Sequence, residues 1–69
     1  MVQFGKVWVI NTAEDLTAAL EALDTAQFYA EMSDDFSAWR RETDEVERQR
    51  RQVMVAAREV GLTLTEVEG

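Results

Sequence analysis

Ala26-Gln27-Phe28-Tyr29-Ala30-Glu31-Met32-Ser33-Asp34-Asp35-Phe36-Ser37-Ala38-Trp39 is the stretch on which the architecture turns. Upstream of it, Leu16, Ala19, Leu20 and Leu23 recur at three- and four-residue steps, the spacing of a single apolar stripe on a helix. Carried past Leu23, that stripe lands on Gln27, Glu31 and Asp34, whereas the apolar residues are Phe28, Tyr29, Met32, Phe36 and Trp39. The change of phase predicts a chain reversal near Asp24-Thr25, with either residue capping a second helix. From about residue 26 to 60 there is no Gly or Pro, and Glu, Arg, Gln, Ala and Met dominate. The second helix is therefore expected to run for roughly 50 Å at 1.5 Å per residue. Ser33 followed by Asp34 and Asp35 has the form of an internal N-cap, so a kink or fresh start at Ser33 is the rival reading.

On the N-terminal side, Lys6-Val7-Trp8-Val9-Ile10 is β-branched and aromatic and predicts a strand over about 6–10. Val7 and Val9 would point one way, Trp8 and Ile10 the other, so both faces would need cover. Asn11 or Thr12 can cap the helix that follows, over about 12–23, with Glu14 and Asp15 at its positive end. On the C-terminal side, Gly61 fits the left-handed residue that ends a helix. Leu62, Leu64 and Val67 then alternate with polar residues and predict a short final strand over about 62–67, able to pair with the first. The expected fold is one α+β domain, helix-dominated, with β-α-α-β order, a long second helix and short terminal strands.

Composition narrows the function. At 69 residues the chain holds one marginal core, and without cysteine it has no disulfide to reinforce it. Histidine is absent too, which removes the usual neutral-pH proton shuttle and the commonest metal ligand. Neighbouring carboxylates such as Asp34 and Asp35 diverge on a helix, and Ser33, Ser37 and Thr43 have no base beside them. No enzyme, metal or cofactor is expected. No apolar run reaches the roughly 20 residues that span a bilayer, and the start lacks the plan of a signal peptide, so a cytoplasmic protein is expected.

The long helix supplies the candidate interface. With Tyr29 at heptad position a, the d series reads Met32, Trp39, Val46, Val53 and Val60, while the a series contains the polar Thr43 and Arg50. This seam is either the domain's own core face or a surface for self-association. A helix of 35 residues outruns a partner of about 11, which favours a homodimer. Tyr29, Met32, Phe36, Trp39, Arg40, Val46 and Val53 are the candidate contact residues, Trp and Arg being favoured interface anchors.

Charge gives two further readings. All six arginines lie between Arg40 and Arg58, but Glu42, Asp44, Glu45 and Glu47 are interleaved with them, so nucleic-acid binding is disfavoured. From Asn11 to Trp39 there are seven acids and no base, within a chain of net charge -7. That run is either a solvated face or an imitation of a phosphate backbone, in which case the protein would be a decoy for a nucleic-acid-binding protein.

The segment Ala26 to Trp39, with Lys6-Val7-Trp8-Val9-Ile10-Asn11-Thr12-Ala13-Glu14-Asp15-Leu16, resembles small uncharacterised proteins encoded by phages of actinobacteria. The resemblance covers about half the chain and brings no catalytic motif. It implies a product acting in the cytoplasm of a bacterial host by binding a host or phage protein. The expected function is thus a non-catalytic interaction or assembly module that self-associates through the long helix, with the acidic decoy as the alternative.

Overall fold

The structure is a computed structural model describing residues 3–62. Two helices, α1 (Ala13–Glu31) and α2 (Phe36–Glu59), fold against each other as an antiparallel hairpin. No strand occurs among the described residues, so the α+β expectation is corrected to an all-helical one. Neither described helix is long and apolar enough to cross a membrane.

α1 begins where the sequence indicates. The Thr12 hydroxyl accepts from the Asp15 N–H at 3.1 Å, and the Asp15 carboxylate accepts from the N–H groups of Asn11 and Thr12. This reciprocal capping box satisfies donors that the first helical turn leaves free. The helix does not stop at Asp24-Thr25. Thr25 lies inside it, its hydroxyl donating to the Glu21 carbonyl.

The apolar stripe keeps its phase through this point because small residues carry it. Leu16, Ala19, Leu23, Ala26 and Ala30 are buried, at alternating steps of three and four. At 100° per residue, Phe28 lies about 200° round from Ala26, on the far side of the helix. The chain reverses only at residues 32–35, where the fresh start near Ser33 is realised with Asp35 as the cap. The Asp35 carboxylate accepts from the Ser37 N–H at 3.0 Å, while Ser33 sits in the loop.

α2 buries Val46, Gln49, Val53 and Ala57 against α1. The Arg50 guanidinium meets Asp24 at 2.9 Å across the two helices. Gly61 ends α2 at φ 82°, with Gly61 N–H donating to Arg58 and Leu62 N–H to Ala57. This is a Schellman closure, completed by Leu62 packing onto the core. The predicted last strand thus begins, at Leu62, with a helix stop; residues 63–67 lie outside the described residues.

The predicted first strand is an arm with no neighbouring strand among the described residues. Its backbone bonds to side chains of α2: Gly5 N–H donates to Glu45, and Trp8 N–H to Gln52, both at 2.9 Å. Gln49, 1 % exposed, accepts from the Trp8 indole N–H and donates to the Gln3 carbonyl and to Glu45. Every hydrogen-bonding atom of the Gln49 amide thereby finds a partner, which is the condition for burying it. Ile10 is buried in the core and Trp8 packs against it. Val7 and Val9 face away and are more than 70 % exposed, so among the described residues one face of the arm is covered and the other is not.

Two substitutions check the position of the seam. Ala30→Leu forces extra volume into a closed site and is expected to lower stability by about 1–3 kcal/mol. Phe28→Ala is expected to change it by less than about 0.5 kcal/mol, since it removes nothing from the core. Urea unfolding of both variants measures this; the opposite ranking would restore the reversal at Asp24-Thr25.

Candidate interaction surface

Four of the chain's six aromatic residues, Phe28, Tyr29, Phe36 and Trp39, flank the reversal and lie, with Met32, outside the core. Phe28 and Tyr29 come from the last turn of α1, Met32 is its C-cap, and Phe36 and Trp39 come from the first turn of α2. Their exposures run from 37 % at Trp39 to 69 % at Phe36. Phe28 and Tyr29 meet edge-on at 5.7 Å between ring centres, and Phe36 and Trp39 stack at 5.8 Å. These contacts limit the rotamer freedom that a partner would otherwise have to freeze. A two-helix hairpin with a seam of alanines has no interior in which to place five such side chains.

The seven candidate contact residues therefore separate into two groups. Tyr29, Met32, Phe36 and Trp39 gather at the closed end with the exposed Arg40. Val46 and Val53 are fully buried in the hairpin. The uninterrupted ridge expected from Tyr29 to Val60 is cut by the reversal, and its second half belongs to the chain's own core. Phe28 joins the exposed group although the heptad assignment passes over it; the stepping of Ala26 and Ala30 along α1 is the signal that places it outside.

Both signs of charge border this end. Glu31, Asp34 and Asp35 lie at the end of α1 and in the loop. Arg40 and Arg41 follow on α2, where with Phe36, Ser37 and Asp44 they line a shallow depression. The Arg41 guanidinium also lies 5.8 Å from the centre of the Phe4 ring, linking the tip of the arm to this part of α2. A second apolar region lies along the outer side of the arm, where Val7 and Val55 border a shallow cleft with Arg48 and Arg51. It is thinner, built on isolated valines rather than on paired aromatics.

Nearer the middle of α2, Glu45 takes a two-pronged contact from Arg48, at 3.0 and 2.7 Å. The Arg48 hydrogen bonds, then that of Gln49, hold the Glu45 carboxyl down from 4.5 to about 2. The same pairing raises Arg48. Because Glu45 also receives the Gly5 N–H, its charge is tied to the seating of the arm.

Among the described residues no group of three or more acidic side chains is placed to hold a metal ion. No protein family, no curated protein and no solved structure matches the chain.

The Glu45 linkage has a definite sign. A carboxyl lowered on folding contributes stability that is fully present above its unfolded value, near 4.5, and disappears as pH falls towards about 2. Acid titration followed by Trp8 fluorescence is expected to show the arm loosening in this window. Glu45→Gln should flatten the pH dependence of stability there. An unchanged acid limb in that variant would separate Glu45 from the arm.

Proposed function

We propose that the protein is a non-catalytic protein-interaction module that binds through the closed end of its helical hairpin. The observation that carries this reading is the exposure of Phe28, Tyr29, Met32, Phe36 and Trp39 together around one reversal. Large apolar side chains exposed near one another mark interaction sites more often than singly scattered ones do. Aromatic residues and Met with an arginine beside them also have the composition that interfaces favour. Catalysis has little to draw on: the chain contains no histidine or cysteine, and its depressions are shallow. The resemblance to small uncharacterised phage proteins implies a product that acts by binding, which agrees with this reading.

The acidic decoy draws on the charge of α1, which carries five acids and no base. Several acids of that half of the chain have local roles that explain them without a partner. Asp15 completes the capping box, Asp24 meets Arg50, and Asp35 caps α2. The aromatic end has no such internal explanation, so the interaction reading stands first.

Photo-crosslinking inside the producing cell tests it. A photoreactive residue at Asp34, in the loop, is expected to give protein adducts that disappear when Met32→Ser and Phe36→Ser are added. The same probe at Glu14, exposed at the open end, is expected to give few. Equal adducts at both positions, or none at Asp34, would contradict the assignment.

A further inference from the structure

We draw no further inference here: the strongest candidate, the exposed apolar group of Phe28, Tyr29, Met32, Phe36 and Trp39 at the closed end of the hairpin, belongs to the surface already described, and nothing in the structure shows what covers it.

Discussion

The close approach of α1 to α2 along a seam of small residues is the constraint from which the remaining features follow. Ala19, Ala26 and Ala30 let the helices come together, and Leu16, Leu23, Val46 and Val53 fill what space is left. The molecule is consequently thin, 14 Å in its shortest dimension. A thin hairpin has one seam and two open grooves, and a chain of this size without disulfides has little margin to leave both uncovered. The arm closes one of them. Trp8 and Ile10 add to the core, and Glu45, Gln49 and Gln52 hold the backbone of the arm in place. Among the described residues, a row of α2 side chains bonds to the arm backbone where its composition suggests a neighbouring strand.

How much of this is legible in the sequence depends on the kind of signal. Local capping reads directly: Thr12 with Asp15 starts α1, and Gly61 with Leu62 stops α2, because each satisfies backbone groups only a few residues away. The position of the reversal misleads because hydropathy gives Phe28 and Tyr29 more weight than Ala26 and Ala30, although the alanines keep the phase. Once the helix is known to continue, the buried line of residues 16, 19, 23, 26 and 30 is regular. The arm is hidden for a different reason. Nothing near Gln3 or Trp8 announces that their partners are glutamines more than 40 residues away, and a buried glutamine looks like a surface residue until its bonds are known.

The candidate interface was partly legible. The heptad pattern picks out Tyr29, Met32, Phe36 and Trp39, which are exposed near the reversal, but it also joins them to Val46 and Val53, which the hairpin buries. Periodicity shows which residues share a face; it does not show whether that face meets its own chain or another. That distinction needs the reversal to be placed. With the turn at residues 32–35, the aromatic residues become the end of the molecule rather than the start of a long ridge, and the argument for a partner passes from helix length to exposed area.

Everything therefore turns on where the chain reverses, and the distance between Glu14 and Arg58 measures it most directly. Both side chains are exposed, and because the chain has no cysteine, spin labels can be placed there through two introduced ones. A reversal at residues 32–35 brings these positions to the same open end of the hairpin, within about 20 Å of each other. A reversal at Asp24-Thr25 followed by one continuous helix would hold them roughly 35 Å apart. The shorter distance is the one this account predicts, and the longer one would contradict it.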